Sequence, residues 1–284
     1  MTGCSNKPTE PPPVTAPTTD LNVAANHLFP PRLGEYYLVW VQYVSDPIWH
    51  LVDTLTIGHI FANDSSNNLF HNKNISSADS LHAAMISLER SLNPSAPTLP
   101  LLSGTFVKND TALLAWLSID IAGDFSKLSS TLVFTTSNAQ ATNDSEFYLC
   151  KYNGTSFLPS LENLPLVPAA WKYGLWAVDS NFYPTQRIFY GLFTGPSGHD
   201  SDSINDNLPF PGGAKKPAMN QRTGSILVTL EPNWYTMQTL VGLGPASYPV
   251  LRFDRRINIT RDSNYAMTNV SAGLPAAIIT VQQK

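Results

Sequence analysis

The densest grouping of side chains able to do chemistry is Gly198-His199-Asp200-Ser201-Asp202-Ser203-Ile204-Asn205-Asp206-Asn207, where carboxylates, hydroxyls and amides crowd one short stretch. Hard oxygens at that density suit Ca2+, which takes about six to eight of them. A closed calcium loop of the helix–loop–helix type needs glycine at its sixth position and glutamate at its twelfth. Here those positions hold Asn205 and Pro211. Two readings follow: a solvated turn rich in Asx residues, or a calcium site shared between subunits through Asp200, Asp202 and Asp206. Just beyond, the glycines of Pro211-Gly212-Gly213-Ala214-Lys215-Lys216-Pro217 make a flexible turn that presents Lys215 and Lys216 as a small basic binding tip.

No phosphate-binding glycine loop, dinucleotide fingerprint, H-E-x-x-H, C-x-x-C or G-x-S-x-G occurs. The six histidines, at 27, 50, 59, 71, 82 and 199, are scattered, and none pairs at zinc-ligand spacing. A Ser/His/Asp triad is assembled in space and leaves no linear trace, so a hydrolase stands as the third-ranked reading. Tryptophans matter more, because aromatic faces are what glycans and protein partners stack upon. Trp49, Trp171 and Trp234 lie beside proline- or asparagine-containing segments and are expected to be exposed binding platforms. Trp40, Trp116 and Trp176 sit in apolar runs and are expected in the core. Residues 251–256, LRFDRR, alternate as a strand does: Arg252, Asp254 and Arg256 share one side and Phe253 takes the other. An exposed face with its own internal salt bridge is the simplest reading of that row. Seven Asn-X-Ser/Thr sequons, at Asn63, Asn74, Asn109, Asn143, Asn153, Asn258 and Asn269, are only mildly more than chance placement gives in so Ser/Thr-rich a chain.

The elements that must position these residues follow from composition. Charged residues make up 13% of the 284, about half the roughly 25% of an ordinary soluble domain. Much of the surface is therefore neutral polar or covered by other chains. A net charge of -4 supplies no basic field for nucleic acid or anionic lipid. Two cysteines, Cys4 and Cys150, make no disulfide framework and are expected as free thiols. No run approaches the roughly 20 apolar residues of a membrane span, and no charged-then-apolar leader is visible.

Residues 1–22, rich in proline and threonine, form an extended arm or linker with little to bury, and 23–284 form one domain. Strand-like runs recur from 34–44 and 54–61 through 101–107, 112–121, 130–137, 146–152, 173–179, 186–195, 225–231, 249–260 and 276–283. One helix is expected from Ser76-Ser77 to about Leu92, its apolar stripe being Leu81, Met85, Leu88 and Leu92. Long loops at 62–76, 157–172 and 196–224 complete the picture. The fold class this implies is all-β, an antiparallel β-sandwich of jelly-roll type with one short helix and long loops.

Three resemblances bear on function. A neutral Ser/Thr/Asn/Pro-rich chain of this size, with many strands, long loops and an extended terminal arm, resembles capsid subunits of non-enveloped RNA viruses with picornavirus-like jelly rolls. Phe29-Pro30-Pro31-Arg32-Leu33-Gly34-Glu35 before an apolar strand is similar to a stretch of calicivirus protruding domains, under a tenth of the chain. In those domains the stretch lies late, whereas here it lies near the start. Thr2-Gly3-Cys4 before a Pro/Thr tether also resembles a bacterial lipoprotein site, which implies a lipidated Cys4 only where an apolar segment precedes it. The leading expectation is a structural virion subunit, shell or spike, that is not an enzyme and pairs with itself or other capsid subunits. Loops 62–76 and 196–224 would carry attachment to a host receptor or glycan. The alternative is a secreted or cell-surface carbohydrate-binding β-sandwich.

Overall fold

In a computed structural model the described residues are 19–29, 31–55, 66–73, 75, 81–107, 110–116, 124–135, 146–179, 186–196, 224–235, 248–254, 260 and 262–283. Every strand pair among them is antiparallel. The larger sheet contains β1 (Thr19–Asn26), β2 (Tyr36–Tyr43), β3 (Asp46–Leu55), β4 (Ser66–Lys73), β5 (Leu81–Glu89), β6 (Pro100–Val107), β7 (Thr111–Trp116) and β18 (Ala276–Gln283). Their spatial order is β3-β2-β5-β6-β7-β18-β1-β4. The sheet curls far enough for its edge strands β3 and β4 to touch.

A second sheet, ordered β13-β12-β14-β15-β17, contains β12 (Trp171–Asp179), β13 (Gln186–Phe193), β14 (Ser225–Pro232), β15 (Pro249–Asp254) and β17 (Thr268–Asn269). A three-stranded sheet joins β16 (Asn264–Ala266), β8 (Thr131–Thr135) and β9 (Glu146–Tyr148). A small ribbon pairs β10 (Cys150–Tyr152) with β11 (Phe157–Pro159).

One apolar core lies between the sheets. Leu21, Val23 and Ala25 of β1 and Ala277, Ile279 and Val281 of β18 alternate inward, as a period of two requires, and meet Tyr173, Leu175, Val228 and Leu230 of the second sheet. At roughly 25 cal/mol per Å2 of apolar area, each such aliphatic side chain contributes about 1.5–3 kcal/mol. The buried carboxylates Glu231 and Glu89 are hydrogen-bonded. Glu231 Oε1 accepts from Thr229 Oγ1 (2.6 Å) and Trp176 Nε1 (3.1 Å), and Glu89 Oε1 accepts from the Thr98 amide (2.7 Å). Gly174 makes room for the first of these groups: a Cβ there would lie 2.9 Å from Glu231 Cγ and 3.0 Å from Trp176 Nε1.

The all-β class holds, and the structure corrects the local reading in four places. The expected helix is not there: residues 81–89 form β5, a central strand between β2 and β6. Both of its faces are covered, Met85 against Leu38 and Trp40 on one side and Ile86 and Leu88 in the main core on the other. Its apolar run therefore does not alternate and imitates a helical stripe, while Leu92 is exposed. Helix among the described residues amounts to two 3-10 turns, at 125–127 and 271–273.

The arm ends earlier than residue 22. Thr19 to Asn22 belong to β1, buried by pairing with Gln283 to Thr280 of β18 and with β4. The loop expected at 62–76 contains a strand, β4 at 66–73. Asp46-Pro47, a turn signal between the strand-like runs 34–44 and 54–61, instead opens β3, an edge strand of mostly half-buried residues in which proline is tolerated at the start.

Candidate interaction surface

The Phe29–Glu35 stretch sits at a seam between the sheets. Gly34, at φ +81°, lets the chain turn so that the Glu35 amide bonds the Arg32 carbonyl at 2.9 Å, a conformation a residue with Cβ resists. That turn leaves Leu33 fully exposed at its tip and buries Glu35. The Glu35 carboxylate accepts from the Arg32 amide (3.1 Å) and from Tyr235 Oη (2.7 Å) just past β14. The Arg32 guanidinium lies 4.0 Å over the Tyr235 ring. Next along, Tyr37 and Tyr248 share a 2.6 Å hydroxyl contact, and Phe29 and Trp171 meet Tyr248 edge-on. Burial pushes the Tyr37, Tyr235 and Tyr248 hydroxyls well above the usual phenol range, and the bond to Glu35 reinforces this for Tyr235. These groups are neutral donors that fasten the sheets, not acids poised for proton transfer.

The expected binding tryptophans separate. Trp171, expected at the surface, is buried in the core, and its Nε1 donates to the Pro100 carbonyl at 3.0 Å. It opens β12 and belongs to the main core, edge-on to Tyr248. Trp49 on β3 is half-buried over Leu38, Trp40 and Met85. Trp234 is also partly buried, edge-on to Tyr235 and with the Arg90 guanidinium 5.8 Å over its ring. Its Nε1 is buried without a hydrogen-bond partner. Trp40 and Trp176 are in the core as expected. Asp200, Asp202, Asp206, Lys215, Lys216 and Cys4 lie outside the described residues. Among the described residues no group of three or more His, Cys, Asp or Glu is arranged to hold a metal ion, and no helix is long and apolar enough to cross a membrane.

Other expectations resolve in detail. Arg252 Nε bonds Asp254 Oδ1 at 2.7 Å on the exposed side of β15, while Phe253 turns inward to Phe134 and Tyr265. Arg256 lies outside the described residues. Cys150 is a free, buried thiol. Of the sequons, Asn153 is exposed. Asn269 spends its amide on the Phe125 and Leu128 carbonyls, at 2.7 and 2.8 Å, which leaves no free nitrogen for a glycan.

The surface feature that sequence reasoning missed is the outer face of the larger sheet. Over β2 and β5 that face is apolar and closed: Leu38, Trp40 and Met85 are fully buried, with Tyr36 of β2 and Trp49 and Leu51 of β3 packed against them. Over β7 and β18 it is apolar and open. Leu113 is 64% exposed and its cross-strand partner Ile278 46%. Ala24 of β1 continues that row. Beside it run Thr280, Thr111 and Val107, the last 58% exposed. The sequence carried a hint: TALLAW and AAIITV are apolar at consecutive positions, which marks strands with something to cover on both faces. Large apolar side chains are also exposed at the β2–β3 hairpin tip, Val44 and Ile48, and at Leu158 and Leu166. Compared with protein-family models, with curated proteins and with solved structures, the chain matches none.

Proposed function

We propose that the chain is a structural subunit of a virion, shell or surface spike, that assembles with copies of itself or with other capsid subunits. The observation that carries this reading is the exposure of large apolar side chains at separate places: the Leu33 turn, the Val44/Ile48 hairpin tip and the Leu113/Ile278 face. An isolated exposed leucine is ordinary, whereas grouped apolar surface marks contact sites. A protein that recognises one ligand needs one such place, and a subunit surrounded by neighbours needs several. The 13% charge content agrees, because interface cores are depleted in charged residues. The jelly-roll relation to known shells, and any host attachment by exposed loops, belong to this proposal.

Carbohydrate binding is the second reading. It retains Trp49 and Trp234 and loses Trp171, whose burial removes it as a stacking platform. Mass photometry and sedimentation velocity on the full chain, with a glycan array in parallel, separate the two. Concentration-dependent oligomers support the subunit. A clean monomer at high micromolar concentration that binds glycans overturns it in favour of the lectin-like module.

A further inference from the structure

We infer that the open outer face of β6, β7, β18 and β1 is where a second copy of this chain packs, sheet against sheet, with Leu113 and Ile278 at the centre. This rests on the reading of the chain as a self-assembling subunit and names the surface it uses.

Three properties of the face point to its own copy as the occupant. First, register places Ala24, Ile278 and Leu113 in one cross-strand row and Thr280, Thr111 and Val107 in the next, and none of the six carries a charge. An isologous contact brings each residue against the same patch on the partner. Any net charge would then meet its like, and a neutral patch avoids that penalty. Secondly, the alanine and threonines flanking Leu113 and Ile278 are short, so the face is nearly flat with a low apolar ridge. Two such faces can approach to the roughly 10 Å spacing of stacked sheets while the ridges interdigitate.

The third property is area. Four strands about 4.8 Å apart, by three same-face residues about 6.8 Å apart, span on the order of 400 Å2 per copy. A stable pairwise interface buries about 800 Å2 per partner. The face therefore supports a weak, concentration-dependent pair, not a tight dimer. That strength suits an assembly in which each subunit makes several such contacts and multivalency supplies the rest. The contrast with β2 and β5 is informative. There Leu38, Trp40 and Met85 are already buried within the same chain, whereas over β7 and β18 Leu113 and Ile278 stay exposed.

The test is sedimentation velocity on the full chain from low to high micromolar concentration, for wild type, Leu113→Lys, Ile278→Glu and Leu92→Lys. Wild type is expected to self-associate. Leu113→Lys and Ile278→Glu are each expected to raise the dissociation constant at least about tenfold, while Leu92→Lys, at an exposed position in the turn after β5 and outside every proposed contact, leaves it unchanged. An equimolar mixture of Leu113→Lys and Leu113→Glu proteins should regain part of the lost association, because opposite charges then face each other. All the altered side chains are exposed, so thermal midpoints should match wild type; Leu113→Ser provides a milder variant if a charged one disturbs folding. Wild-type association undiminished by Leu113→Lys, Ile278→Glu and Leu113→Ser would overturn this surface and leave the subunit reading standing. A wild type that stays monomeric throughout would overturn both, as would one whose outer face binds glycans instead.

Discussion

The hydroxyls of Tyr37 on β2 and Tyr248 just before β15 lie 2.6 Å apart in the buried seam although 211 residues separate them in the chain. That contact joins the larger sheet to the second one. Two buried phenols facing each other satisfy one another with one donated proton, so neither is left as an orphan. Replacing either tyrosine by phenylalanine takes this partner from the other hydroxyl, at about 1–3 kcal/mol. The double variant removes both polar atoms together. It should cost clearly less than the sum of the singles, with a coupling of about 0.5–3 kcal/mol. Urea denaturation of the four proteins measures this, and additive singles would show that the contact does not fasten the seam.

The tyrosines also set an alkaline limit. Burial pushes the Tyr190 hydroxyl up to about 12 and drives Tyr37, Tyr173, Tyr235 and Tyr248 well above the ordinary phenol range as well. A phenol is neutral when protonated, so the fold favours the protonated form. Because the folded values exceed the ordinary 10.0, stability is fully present below about pH 10. It declines as pH rises beyond that, for Tyr190 until about pH 12. The slope is about 1.4 kcal/mol per pH unit for each buried tyrosine. Denaturation midpoints should be flat up to about pH 9 and fall steeply by pH 11, with the buried tyrosines' share of the tyrosinate absorbance appearing only as the protein unfolds. Tyrosinate absorbance at the full complement without loss of structure would contradict this.

Gly174 is expected to tolerate no side chain. An alanine Cβ would press on Glu231 Cγ, Trp176 Nε1 and Thr229 Oγ1, all within 3.1 Å. These atoms belong to a hydrogen-bonded group around a fully buried carboxylate. Displacing them leaves that carboxylate short of donors, which costs several kcal/mol in a site from which water is excluded. Gly174→Ala should lower stability by more than about 2 kcal/mol. Gly195→Ala, where open space surrounds the position, serves as a control expected to stay within about 0.5 kcal/mol.

How legible the fold was depended on what each strand has on its two sides. Strands with alternating or strongly β-branched residues, such as 225–232 and 276–283, stand out from residue types alone. Strand β5 did not, because a strand buried on both faces loses its period of two. In LHAAMISLE the apolar positions then coincide with helical spacing. Strand β1 did not either. Leu21, Val23 and Ala25 alternate properly, but they follow a proline-rich stretch, and only pairing with β18 more than 250 residues away buries them. Of the interaction surface, Arg32 and Glu35 were visible as a motif, although their tie to Tyr235 is purely spatial. The Leu113/Ile278 face showed in the sequence only as two separate apolar runs, since its joining of β7 to the distant β18 is spatial.

The boundary of the arm makes the sharpest truncation test. Residues 1–18 are proline- and threonine-rich with almost nothing to bury, so deleting them should leave the denaturation midpoint of the fold within experimental error. Extending the deletion to residue 22 removes half of β1. Thr19, Asp20 and Leu21 are buried, and Leu21 alone represents an aliphatic side chain worth about 2–5 kcal/mol in the core. The cut also strips ladder partners from β18 residues Thr280 to Gln283 and opens a new edge beside β4. The shorter protein should therefore lose several kcal/mol and aggregate, while the 19–284 protein stays soluble and cooperative. Equal midpoints for the two truncations would mean that β1 is dispensable from Thr19 to Asn22, and that the domain begins at residue 23, where the arm's composition places its end.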